Sequence, residues 1–145
     1  MLNEYPNSVA DVLDDRMTFH PATLHAVREF ARSRPWRGSL QERQDKFRSL
    51  HRELCGIYGI APRLVFGNDD GDSARSCFIP VLNSVILRGR LSVVTYLHEI
   101  GHARGKKERE TCAWSLTLFR RCFPKSWSRA RWEGHMIRKG DIASP

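Results

Sequence analysis

Two histidines stand four residues apart in the segment His98-Glu99-Ile100-Gly101-His102, with a glutamate directly after the first. On an α-helix, side chains four residues apart lie on the same face, so both imidazoles can bind one metal ion. Glu99 is then placed beside that ion, where its carboxylate can take a proton from a metal-bound water as a general base. The pattern predicts a hydrolytic zinc site with His98 and His102 as metal ligands and Glu99 as the catalytic residue.

A catalytic zinc site has a third protein ligand and leaves its fourth position to water. The downstream candidates for this ligand are Glu108, Glu110, Glu133 and His135. We predict Glu110, because it lies in the first turn of the next predicted helix, which folds back towards His102. The alternative roles are a helix cap for Glu108 and a solvated first-turn carboxylate for Glu110. His135 is also a candidate donor for stabilising a tetrahedral oxyanion.

Two helices are predicted in the N-terminal half of the chain. The first begins near Pro21, carries apolar residues at helical spacing and ends at Arg34-Pro35. The second begins with the capping-box pattern Ser39-Leu40-Gln41-Glu42 and ends at Gly59. The residues before Pro21 show no sustained period, so we expect an arm or a short, weak helix there.

Short β-branched and aromatic runs follow Pro62 and predict two or three strands. These runs are Arg63-Leu64-Val65-Phe66, Cys77-Phe78-Ile79-Pro80-Val81 and Ser84-Val85-Ile86-Leu87-Arg88. The polar segment 68–72 lacks the spacing and the distal glutamate of a calcium loop, so we interpret it as a surface turn.

The helical period returns from Leu91 to Ala103, in the segment that carries the two histidines. Gly105 predicts a tight turn, and a further helix is expected from about Glu108 to Arg121, ending before Pro124. Another helical piece is expected near Trp127 to Trp132. Helices and short strands in this order predict an α+β fold with a small β-sheet of two or three strands.

Length and composition indicate one globular domain. The chain has 145 residues, of which 41% are hydrophobic and 28% charged, and this is too apolar for a disordered protein. No run is long enough to span a membrane and the N-terminus lacks the order of a signal peptide, so we expect a cytoplasmic protein without a membrane partner. The four cysteines form no Cys-x-x-Cys pair, and we interpret them as reduced core thiols.

Positive charge is concentrated at the C-terminal end. Residues 101–145 hold 11 Lys+Arg against 4 Asp+Glu, which is +7 of the net charge of +8. Several of these basic residues alternate with Trp127 and Trp132, a composition suited to phosphate contacts and base stacking. Nucleic acid and an acidic protein surface are the two partners that this tail predicts, and a solvated basic face is the alternative.

The segment from about Gln44 to Pro124, with its helix, short strands, HEIGHA helix and Glu-x-x-Ala helix, resembles the gluzincin metallopeptidases. Among them it is most similar to the compact cytosolic ImmA/IrrE-type enzymes. The resemblance implies a zincin-like fold in which His98, His102 and, through Glu110-x-x-Ala113, Glu110 bind Zn²⁺. Trp114 occupies the place where the family usually carries Asn or Asp, and the connection from His102 to Glu110 is shorter than in relatives.

We therefore expect a zinc-dependent metallopeptidase that hydrolyses peptide bonds through a zinc-activated water. The expected layout is an N-terminal arm over residues 1–18, a zincin-like domain over residues 19–124 and a basic tail over residues 125–145 packed on that domain. The substrate would be a protein or peptide, and the resemblance favours a regulatory target such as a DNA-binding repressor. The alternative function is a nucleic-acid-binding or antirestriction-type interaction protein with a structural or vestigial zinc site.

Overall fold

A helical pair forms the N-terminal half of the fold. The computed structural model describes Pro6 and residues 8–67, 76–89, 91–133 and 136–137. Helix α1 spans Pro21–Arg32 and helix α2 spans Leu40–Tyr58, which confirms both predicted helices. Ser39 and Glu42 form the predicted capping box at the start of α2, and Gly59 ends that helix with a φ of +62°.

A three-stranded sheet follows the helical pair. Strands β1 (Arg63–Phe66), β2 (Cys77–Ile79) and β3 (Ser84–Leu87) lie in the order β1-β3-β2, with β1 parallel and β2 antiparallel to β3. The second strand is shorter than its sequence run, because Pro80–Leu82 forms a 3₁₀ turn. Proline has no N–H to donate to a strand ladder, so pairing stops at Ile79.

In the part of the C-terminal half that the structure describes, three helices precede a pair of two-residue strands. Helix α3 (Val93–Ala103) carries the histidine motif and is followed by α4 (Glu108–Cys122) and the short α5 (Pro124–Arg129). Strands β4 (Trp132–Glu133) and β5 (Met136–Ile137) pair in an antiparallel hairpin. The α+β class is confirmed, and the four cysteines are free thiols as predicted.

The N-terminal arm packs against α4. Val9 and Val12 are buried in the core, and the backbone N–H of Asp14 donates a hydrogen bond to Thr117 Oγ1 at 3.3 Å. Arg109 Nη2 lies 3.0 Å from Asp11 Oδ2, which ties the arm to the first turn of α4. From residue 8 to residue 20 the arm contains no helix.

A buried histidine anchors α3 to α2. His51 Nε2 lies 2.7 Å from the carbonyl oxygen of Pro62, so this nitrogen donates, and Nδ1 accepts from the hydroxyl of Tyr96 at 2.8 Å. Tyr96 is fully buried, and burial lowers the pKa of His51 and raises the pKa of Tyr96. Both groups are therefore held neutral, and they fix the rotation of α3 about its axis. His51 is a packed core residue, as its place on the apolar face of α2 predicts.

Helices α3 and α4 approach closely at Gly101. A Cβ atom at this position would lie 2.7 Å from Thr111 Cγ2 and 3.1 Å from Thr111 Oγ1. Thr111 is fully buried and its χ1 angle is stiff in a helix, so it cannot move away easily. The absence of a side chain at Gly101 therefore sets the distance between the two helices.

Several predicted features fall outside the described residues, namely the surface turn at 68–72, the oxyanion candidate His135, the side chain of the ligand candidate Glu133 and residues 138–145 of the basic tail. Within the described part of the chain, no helix has the length and apolar character needed to cross a bilayer.

We expect Gly101→Ala to lower the free energy of unfolding by about 1–3 kcal/mol, because the added methyl group overpacks the α3–α4 contact. Gly56→Ala in α2 is the matched control, since a Cβ there meets nothing within 4 Å. That control should raise stability by about 0.5–1 kcal/mol through helix propensity. Urea unfolding of the chelator-treated protein measures both values, and equal effects of the two substitutions would contradict this account of the contact.

Candidate metal centre

The two motif histidines meet on one face of α3. His98 Nε2 and His102 Nε2 lie 3.2 Å apart, and the ring centroids are 4.8 Å apart at an interplanar angle of 78°. Both side chains are partly exposed, at 17% and 29%. The structure therefore brings together the two residues that the spacing of the motif predicts.

The orientation of His102 is set by the turn that follows α3. Its Nδ1 lies 3.1 Å from the backbone carbonyl oxygen of Lys106, which can only accept, so Nδ1 carries the ring proton. In the neutral ring, Nε2 then presents an unprotonated lone pair. A histidine held in this way by its second nitrogen is the usual arrangement of a metal ligand.

The carboxylate that reaches both histidines belongs to Glu108. Its Oε1 lies 2.9 Å from His98 Nε2 and 2.8 Å from His102 Nε2. The hydrogen bond from His98 is the largest of the effects that lower the pKa of Glu108 to about 2, and burial opposes it. Glu108 is therefore an anion that faces the two Nε2 atoms.

Glu110, the third ligand predicted from the sequence, does not join the histidines. It lines a cleft on another side of α4, together with Arg104 and Trp114. An α-helix turns by about 100° per residue, so side chains two positions apart point about 200° apart. Since Glu108 faces α3, Glu110 in the same turn must face away, and the geometry favours Glu108 in its place.

Glu108 was among the sequence candidates, but the sequence supplies only a weak signal for preferring it. The segment between His102 and Glu108 is five residues long, and Gly105 turns the chain with a φ of +84°. A turn this tight brings the very first residue of α4 beside the last turn of α3. The shortness of the connection is therefore the feature that points to Glu108.

Cys112 lies directly beneath the cluster, one helical turn after Glu108. Its sulfur is 3.5 Å from Glu108 Oε2 and 3.8 Å from His98 Nδ1, and the side chain is almost fully buried. Burial raises the pKa of this thiol well above its ordinary value, and the charge of Glu108 adds to the effect. The neutral S–H can donate to Glu108, and the sulfur lies beside His98 Nδ1, so Cys112 contacts both groups. Nothing in the sequence spacing of the motif indicates this contact.

The Glu99 side chain faces the sheet and is held by the backbone of β2. Glu99 Oε1 accepts a hydrogen bond of 2.9 Å from the N–H of Phe78 in β2, and the side chain is only 8% exposed. Burial raises the pKa of Glu99, while His98 and His102 partly oppose the shift. A carboxylate with a raised pKa that lies close to both histidines is suited to accepting and returning a proton.

The basic residues near the C-terminus are partly engaged within the chain. Arg120 forms an ion pair with Asp15 and lies 5.8 Å from the ring centroid of Trp127. Arg121 lies 5.0 Å from the ring centroid of Phe19. Two of the arginines that could bind a partner are therefore engaged in contacts within the chain. Nucleic-acid binding by the basic tail stays a prediction.

The spacing of the three donor atoms indicates whether a cation fits between them. Nε2 of His102, the facing Nε2 of His98 and the Glu108 oxygen meet at 2.8, 2.9 and 3.2 Å. A carboxylate oxygen this close to two imidazole Nε2 atoms requires either a proton on each nitrogen or a metal ion between the three atoms. Protons on the two Nε2 atoms, with His102 charged, would satisfy the carboxylate, and one metal ion would satisfy all three atoms at once. Tetrahedral ligands about 2.0–2.1 Å from zinc are about 3.3 Å apart, close to the observed spacing.

The chain was also compared with known proteins. No protein-family model, no curated protein and no solved structure matches it.

Proposed function

We propose that this protein is a zinc-dependent metallopeptidase with a zincin-like active site. His98, His102 and Glu108 would hold Zn²⁺, and Glu99 would act as the general base. The observation that carries the proposal is the convergence of two imidazole Nε2 atoms and one carboxylate oxygen within 3.2 Å, beside a buried glutamate. This donor set, with one position left for water, is typical of hydrolytic zinc sites.

The bound ion would supply Lewis acidity, polarising a peptide carbonyl and making water more acidic. The protein's own residues would do the rest of the chemistry. The N–H of Phe78 holds Glu99 Oε1, which leaves Oε2 free of hydrogen bonds to described residues and able to accept a proton from the attacking water. Glu99 can then return this proton to the leaving amine, and its raised pKa favours that second transfer.

Strand β2 is the edge along which we expect an extended substrate to lie. It is one of the two edges of the sheet, and Phe78 opposes Val85 in the pairing with β3. Because the Phe78 amide turns to Glu99 and not to β3, the backbone of this residue faces the outer edge. A peptide that lay along this edge would pass next to the base, while the Phe78 N–H itself stays engaged by Glu99.

The resemblance to ImmA/IrrE-type enzymes favours a narrow range of protein substrates over general digestion. A DNA-binding regulator is the kind of target that this resemblance implies, by analogy alone.

We expect Glu108→Gln to weaken zinc binding by about 10–100-fold or more, because the amide removes the anionic donor that faces both histidines. Glu110→Gln is the matched control, since it makes the same change of charge two residues away and should leave zinc affinity nearly unchanged. Competition with a chromophoric chelator measures both constants. If Glu110→Gln empties the site and Glu108→Gln does not, the sequence-based ligand is correct and the proposed one is wrong.

We expect Glu99→Gln to retain zinc while lowering the rate of peptide hydrolysis by about 10²–10⁴-fold, because the amide keeps the shape of the side chain but cannot accept the proton. Glu53→Gln, on the exposed face of α2, provides the control for the loss of one carboxylate. Cleavage of a quenched fluorescent peptide library by the zinc-loaded protein supplies the rates. Equal rates for Glu99→Gln and the parent would rule out the assigned base.

A further inference from the structure

The cleft that Glu110 lines lies beside the α3–α4 turn, apart from the three proposed metal ligands. Its volume is about 530 Å³, and its charged and aromatic lining includes Phe19, Tyr58, Arg104, Lys106, Glu110 and Trp114. A space of this size accommodates a small organic molecule. The lining comes from the arm, the end of α2, the turn and the first half of α4, so four separate segments of the chain build it.

Arg104 is held in this cleft by aromatic rings. Its guanidinium carbon lies 3.7 Å from the ring centroid of Tyr58 and 5.2 Å from that of Trp114. Tyr58 is fixed in turn by a 2.5 Å hydrogen bond between its hydroxyl and Thr23 Oγ1. Among the described residues, no carboxylate pairs with Arg104. Its Nη1 is buried without a hydrogen-bond acceptor, so the other N–H groups of the guanidinium are the ones that can donate to a molecule in the cleft. The guanidinium is thus positioned by cation–π contacts, and no carboxylate of the described residues neutralises its charge.

Lys106 adds a second positive charge to the same cleft. Glu110 is the one acidic residue of the lining, and it forms no ion pair with Arg104 or Lys106 in the described part of the chain. His20 contributes a further donor, because its Nδ1 accepts from the Ala22 amide and the neutral ring then carries its proton on Nε2. The cleft therefore holds two positive charges and several hydrogen-bond donors, against a single carboxylate.

We propose that this cleft binds a small organic anion that carries a planar ring. The acid group would accept hydrogen bonds from Arg104 and Lys106, since charge-assisted bonds of this kind are the strong ones. The ring would make edge contacts with Tyr58 and Trp114, because the guanidinium of Arg104 already lies over one face of the Tyr58 ring. The acid group can be a carboxylate or a phosphate, because both offer the same acceptor oxygens to a guanidinium. The inference does not depend on the peptidase proposal, since none of the three metal ligands lines the cleft.

The test is isothermal titration of the chelator-treated protein with benzoate, phenyl phosphate, cyclohexanecarboxylate and inorganic phosphate. We expect saturable 1:1 binding of benzoate or phenyl phosphate, and the tighter of the two identifies the acid group. Cyclohexanecarboxylate should bind about 2–10-fold more weakly than benzoate, because it lacks the planar ring. Inorganic phosphate that binds as tightly as phenyl phosphate would overturn the role of the ring.

Variants then locate the bound anion. Lys106→Met should weaken binding about tenfold or more, whereas Lys107→Met, one residue outside the cleft and equally a loss of one positive charge, should change it little. Arg104→Met should weaken binding at least as strongly, and circular dichroism shows whether this variant is folded. The proposal is overturned if neither ring-bearing anion gives a saturable isotherm, or if Lys106→Met and Lys107→Met have the same effect.

Discussion

The close approach of α4 to α3 at Gly101 is the contact on which the candidate metal centre depends. The histidines on one face of α3 supply two donors. The third donor, Glu108, belongs to α4 and reaches the histidines only if the axes of α3 and α4 lie close together. Thr111 occupies the space that a side chain at Gly101 would fill, and Glu108 lies one turn before it on α4. The tight turn at Gly105 completes the constraint by starting α4 directly beside the end of α3.

Contacts from the turn after α3, from α4 itself and from the sheet hold the groups of the site. The carbonyl of Lys106 orients His102, the sulfur of Cys112 lies against His98 and Glu108, and the amide of Phe78 orients Glu99. The buried pair of His51 and Tyr96 fixes α3 against α2. Each proposed ligand or base is thus supported by a second contact, and such support is what keeps the donors of a metal site at fixed positions.

Local patterns predicted most of this fold. Proline, a capping box and Gly59 mark the two N-terminal helices, and the four-residue spacing of His98 and His102 alone places them on one face. The sequence predicts Glu110 as the third ligand, whereas Glu108 is the carboxylate that contacts the histidines. Which of the two faces α3 depends on the direction in which α4 leaves a short turn, and the identity of the zinc ligand stays a prediction. The sequence could not predict the contact between Phe78 and Glu99 either, because tertiary packing decides the strand order β1-β3-β2.

Anomalous diffraction from crystals of the zinc-loaded protein, recorded on both sides of the zinc absorption edge, tests the central claim most directly. The account predicts one zinc peak about 2.0–2.2 Å from His98 Nε2, His102 Nε2 and an oxygen of Glu108. A zinc ion bound to the sulfur of Cys112 or to Glu110, or a peak away from the two histidines, would contradict it.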